Sequence, residues 1–80
     1  MYFIGELKGS SPDLKISLYK WNSKFFVKFE TPDLEQVYKI SEMDVSEDEV
    51  RAMVNEAFVE KIIARFKEMY QDLGELMGDY

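Results

Sequence analysis

The sequence predicts an α+β fold: an antiparallel meander of three or four β-strands, then a long C-terminal helix packed on one sheet face (ββββα). Three observations predict it. Turn signals recur every eight to ten residues across 2–40, separated by alternating or β-rich runs. From Val45 no Gly or Pro intervenes before Gly74, and apolar residues recur at helical spacing. The 80 residues, 46% hydrophobic and 15% aromatic, suit one globular domain spanning 1–80.

The first strand is expected over about Tyr2–Lys8. It ends in Gly9-Ser10-Ser11-Pro12-Asp13, a loop by composition. The second, about Leu14–Lys20, alternates Leu14, Ile16 and Leu18 with Lys15, Ser17 and Tyr19. Asn22-Ser23 forms a tight hairpin, because Asn tolerates the left-handed conformation. The third strand covers about Lys24–Glu30, and Thr31-Pro32-Asp33 makes the next turn. The fourth, about Leu34–Ile40, sorts less cleanly: Leu34, Tyr38 and Ile40 lie on one side and Val37 on the other.

A two-residue Asn22-Ser23 loop fixes the hairpin register. It pairs Trp21 with Lys24, Tyr19 with Phe26, Leu18 with Val27 and Ile16 with Phe29. One face then collects Leu14, Ile16, Leu18, Phe25, Val27 and Phe29, which the helix covers. The other collects Lys15, Ser17, Tyr19, Trp21, Lys24, Phe26, Lys28 and Glu30. If Glu6 and Lys8 also point outward, Tyr2 and Ile4 join that face.

The helix is expected over about 46–73. Ser46 and Glu49 form a capping box, and Val45 with Val50 a hydrophobic staple. Glu47, Asp48 and Glu49 complement the dipole of the first turn, and Glu47 pairs with Arg51 one turn on. Gly74 fits the C′ position. The first half presents Val50, Met53, Val54, Ala57 and Phe58 to the core. In the second half Val59, Ile62, Phe66, Met69, Leu73 and Leu76 follow heptad spacing, the pattern of an interhelical seam. An unbroken helix would be about 40 Å long, against strands of about 20 Å. Either it breaks near Asn55 or its distal seam meets another chain. Residues 78–80 are expected to fray.

Composition excludes several functions. With no Cys and no His, disulfides, Cys/His zinc sites and thiol or imidazole catalysis are ruled out. Asp44, Glu47 and Asp48 lack calcium-loop spacing, and the glycines form neither a P-loop nor a dinucleotide fingerprint. Glu56/Glu60 and Glu68/Asp72 lie one turn apart, a spacing that usually marks a solvated helix face. No catalytic, cofactor-binding or metal residue is assigned, and no cofactor is expected. Met1–Glu6 is too short and too soon charged for a signal peptide, and no apolar run matches a membrane span. The expected compartment is the cytoplasm.

The net charge is −6, unevenly placed. Residues 1–40 hold six Lys and five acids; residues 41–80 hold four Lys/Arg and eleven acids. The helical half would repel phosphate backbones. On the outer sheet face, Tyr19, Trp21 and Phe26 interleave with Lys15, Lys24 and Lys28. As cross-strand partners such aromatics stabilise a sheet by about 0.2–1 kcal/mol per pair. As exposed anchors beside cations they suit a protein contact. As stacking platforms they suit single-stranded nucleic acid.

The order of elements, four antiparallel strands and then a long helix, resembles that of the PUR/Whirly group of single-strand-binding domains. The resemblance spans the whole chain and rests on topology, with no motif and no site residue. It implies paired helices and curved sheets that bind a strand. The acidic balance and the absence of Arg from the strands point away from that partner. The reading is therefore a small non-enzymatic protein-interaction module. It is expected to be homodimeric through Val59, Ile62, Phe66, Met69, Leu73 and Leu76, or to bind another protein, with a second patch at Tyr19, Trp21 and Phe26. A single-strand nucleic-acid binder ranks behind it. An enzyme or small-ligand carrier ranks last.

Overall fold

The chain opens with four strands, β1 (Tyr2–Glu6), β2 (Lys15–Trp21), β3 (Lys24–Glu30) and β4 (Glu35–Ser41), which form one antiparallel sheet of order β1-β2-β3-β4. Two helices follow, α1 (Glu47–Met53) and α2 (Glu56–Met77). The computed structural model describes residues 1–78. The tail expected to fray thus falls partly on Asp79 and Tyr80, outside the described residues.

The β2–β3 hairpin is the frame of the sheet. Asn22 and Ser23 hold positive φ of 53° and 62°, the left-handed pair that matches strand twist. The register follows from it, with Trp21 opposite Lys24, Leu18 opposite Val27 and Ile16 opposite Phe29. The fourth strand pairs along its whole length, from Lys24–Ser41 to Glu30–Glu35.

The first strand departs from simple alternation. Its register shifts between Phe3 and Gly5, so Phe3 faces Tyr19 while Gly5 faces Leu18. A bulge inserts one residue and reverses the parity beyond it. Hence Phe3, rather than Tyr2 and Ile4, joins Tyr19 on the outer face, and Ile4 packs against the core.

The helices cover the inner face. Ile16, Leu18, Phe25, Val27 and Phe29 meet Val50, Val54, Ile62 and Phe66 in one buried cluster. Burial of this kind, at about 25 cal/mol per Å² of apolar surface, is the main stabilising term.

The helical segment breaks where its length argued it should. Val54 leaves helical geometry at φ −85°, ψ 69°, and Asn55 caps a new helix. The elbow brings Val50 and Val54, as well as Ile62 and Phe66, onto the sheet. The capping box of Ser46 and Glu49 is formed in both directions. At the other end the expectation is corrected. The helix runs through Gly74 to Met77, and Gly78 takes the left-handed cap at φ 77°. An interior Gly costs about 1 kcal/mol relative to Ala, which the flanking helix formers outweigh.

Polar ties fix α2 along the sheet. The Thr31 and Tyr70 hydroxyls lie 2.7 Å apart, joining the β3–β4 turn to the helix. Arg65 Nη1 donates to the Tyr38 hydroxyl at 3.2 Å. A helix of 22 residues is about 33 Å long, longer than the strands beneath it. Its last turn therefore overhangs, in a molecule measuring 43 × 25 × 21 Å. No helix among the described residues is long and apolar enough to cross a membrane.

Candidate functional site

Among the described residues no helix covers the outer face of the sheet. Its residues come from alternate positions of each strand, placed in rows by the register. One end row holds Lys15, Glu30 and Glu35, and the next holds Glu6, Ser17, Lys28 and Val37. A third holds Phe3, Tyr19, Phe26 and Lys39; the far row holds Trp21, Lys24 and Ser41.

The middle of this face is apolar. Phe3 and Tyr19 rings stand 5.3 Å apart, and Trp21 and Phe26 rings 6.5 Å apart. Tyr19 and Phe26 face each other across the hairpin, so the four rings form a diagonal strip. Phe26 is only 7% exposed although no helix covers it, because its neighbours pack over it. Phe3 at 50%, Trp21 at 55% and Val37 at 39% stay open to solvent. Exposed apolar groups in one continuous patch mark contact surfaces.

The charges separate along the strands. Lys28 Nζ lies 3.7 Å from Glu30 and 3.6 Å from Glu35, so its charge is shared with two carboxylates. With Glu6 beside them, that end is acidic. At the other end Lys24 and Lys39 have no ion pair among the described residues, and Lys39 sits over the Phe26 ring at 5.7 Å. Lys28 lies over Tyr19 at 5.8 Å. Cations on ring faces gain about 0.5–1 kcal/mol at exposed sites.

The residues singled out from sequence fall into two groups. Tyr19, Trp21, Phe26, Lys24 and Lys28 gather on this face, with Lys15 at its acidic end. Phe3, Val37 and Lys39 also belong to it and were missed. Gly5 within a strand was the available sign of the bulge that turns Phe3 outward.

The helix seam divides differently. Ile62 and Phe66 are 0% and 4% exposed, and Val59 and Met69 pack against the same cluster. Four of the six seam positions are thus engaged within the chain, which corrects their expected role at an interface. Leu73 is half-buried, and only Leu76, on the overhanging turn, is widely exposed at 83%. Helical spacing alone does not distinguish a face toward a sheet from a face toward another helix.

The carboxylate pairs Glu56/Glu60 and Glu68/Asp72 are exposed on α2. A wide cleft lies on the helical side, between the β1–β2 turn and the elbow. Two cations, Lys8 and Arg51, and two carboxylates, Glu56 and Glu60, line it beside Val59 and Ile63. Gly9, at φ 96°, lets the turn approach Val59 there.

Comparison with family models, with curated proteins and with solved structures finds no match to this chain.

Proposed function

We propose that this chain is a non-enzymatic protein-interaction module that docks through the outer face of its sheet. One observation carries the reading: the strip of Phe3, Tyr19, Phe26 and Trp21, half open to solvent, on the face no helix covers. Rigid aromatics on a strand lose little entropy on binding and supply large contact area. The partner is a protein, met in the cytoplasm.

Charge supports a protein over a nucleic acid. A strand of phosphates would cross Glu6, Glu30 and Glu35 as well as the lysines, and Lys28 is already shared between two of those acids. Counterion release needs cations without such neighbours.

The test uses a photo-cross-linking side chain at position 21 in growing cells, with position 72 on the far face of α2 as control. Defined protein adducts at 21 and none at 72 are expected. Adducts with nucleic acid alone, or none, would overturn the reading. Trp21 is the sole tryptophan, so its fluorescence also reports on purified protein titrated with a single-stranded oligonucleotide at low salt. No change is expected.

A further inference from the structure

We infer that the occupant of the outer sheet face is a second copy of this chain, packed face to face about a two-fold axis that crosses the strands. The inference rests on the reading of that face as a protein contact.

The charge pattern carries it. Along the face, the carboxylates gather at one end, beside Lys15, and Lys24 and Lys39 stand toward the other. Glu30 and Glu35 stand in one terminal row, Lys24 in the other, and Lys39 in the row beside it. Six residues separate the terminal rows, about 20 Å at 3.3 Å per residue. A two-fold axis in the plane between two such sheets, perpendicular to the strands, reverses the rows and keeps each strand over its own copy. The Glu30 row then lies over the Lys24 row. Glu30 of one copy meets Lys24 of the other on the same strand, and symmetry repeats the contact. Glu35 approaches Lys39 of the second copy, one row further in. The Phe26 row lies over the Lys28 row, so Lys28 reaches the ring of the second copy. Trp21 covers the apolar stem of Lys15. An axis parallel to the strands would instead lay each row on itself with the strand order reversed, so that Glu30 meets Lys15 while Lys24 and Lys39 face no carboxylate of the second copy. The crosswise axis is thus the one that gives Lys24 and Lys39, as well as Glu30 and Glu35, a partner of opposite charge.

The available area fits a modest dimer. Four strands at about 4.8 Å and seven residues at about 3.3 Å give a footprint of about 440 Å² per copy. Two such footprints total about 880 Å², the size of a weak, transient contact rather than of a permanent one. Sheets packed this way lie about 10 Å apart with strands aligned to about 30°, and Trp21 and Phe3 are long enough to fill that gap. An interface of this size dissociates on dilution.

Charge reversal provides the test. Lys24→Glu and Glu30→Lys both change side chains in contact with solvent, and circular dichroism checks that each variant keeps its fold. Molar mass is measured by light scattering and sedimentation over a wide concentration range. The native chain is expected to show a reversible monomer–dimer equilibrium. Each variant alone sets like charges opposite each other twice and should dimerise at least tenfold more weakly. Mixed together, the two variants restore both opposite-charge contacts and should associate with near-native affinity. A native chain that stays monomeric throughout would overturn the inference. So would variants that dimerise like the native chain, or a mixture no tighter than its components. The cross-linker at position 21 separates this failure from that of the broader reading. Adducts of a different protein, with a monomeric purified chain, would remove the second copy and keep the docking face. A monomer without protein adducts would remove both.

Discussion

The side-chain carbonyl of Asn55 accepts the backbone N–H of Phe58 at 2.9 Å, and at that point the helical segment starts again in a new direction. The cap satisfies a donor that α2 would otherwise leave without a partner. It also sets the angle that lets Val50 and Val54 reach the same core as Ile62 and Phe66.

Asn55→Ala should therefore lower stability by about 1 kcal/mol. In a domain of this size that is a fall of roughly 4–8 °C in thermal midpoint. Asn55→Gly should cost only a few tenths of a kcal/mol, since Gly is also accepted at this position. Equal losses for both would show that the elbow, not the cap, sets the effect.

The same cap shows what sequence alone makes legible. Ser46 with Glu49, and Asn22 with Ser23, act on neighbours within three residues, and both formed as their chemistry required. The hairpin then carried the correct pairing of Ile16 with Phe29 and exposed Tyr19, Trp21 and Phe26 together. Where the outcome depended on distant packing, local pattern fell short. The stripe from Val59 to Met69 reads alike whether it meets a helix or a sheet. Gly74 reads as a stop, yet the helix continues to Met77. Phe3 turned outward through a bulge whose position depends on pairing with Tyr19 and Leu18.

Ser23→Gly should stabilise the fold. Ser23 sits at φ 62°, where an L-residue with a Cβ is strained and Gly is at ease. Asn-Gly is the favoured pair for this turn. A gain of about 0.5–1 kcal/mol is expected, read as a higher urea midpoint at unchanged slope. The Ser23 carbonyl accepts the Glu42 N–H at 3.0 Å, a contact that Gly retains.

Phe66 and Leu76 share one predicted seam but should behave differently. Phe66 is 4% exposed, so Phe66→Ala should cost about 3–5 kcal/mol. A domain of this length has a total stability of roughly 4–12 kcal/mol, so this one truncation removes a large share of it. Leu76 is 83% exposed, and Leu76→Ala should stay within about 0.5 kcal/mol. Thermal melts of the two variants side by side check this. A folded Phe66→Ala domain with native stability would move Phe66 out of the core.

Gln36 offers a stabilising change inside the sheet. It lies opposite Phe29 on the helix-covered side of β4, where its Nε2 donates to the Tyr38 hydroxyl at 2.6 Å. Its Oε1 is buried without a partner among the described residues. Turning the amide over would only exchange which end is orphaned. A buried polar atom left unpaired costs about 1–3 kcal/mol, more than the roughly 1 kcal/mol that the single bond contributes. Gln36→Met keeps length and volume and removes both groups. It should raise stability by about 1 kcal/mol, while Arg65 continues to serve the Tyr38 hydroxyl. Tyr38→Phe in the native background should do the reverse, because it strands the Gln36 amide entirely. Combined with Gln36→Met, the same change should cost much less, since Arg65 is exposed and turns to solvent. The four proteins make a double-mutant cycle read by urea unfolding. A lower midpoint for Gln36→Met would mean that the amide finds a second partner in solution, and that β4 is held to α2 through it.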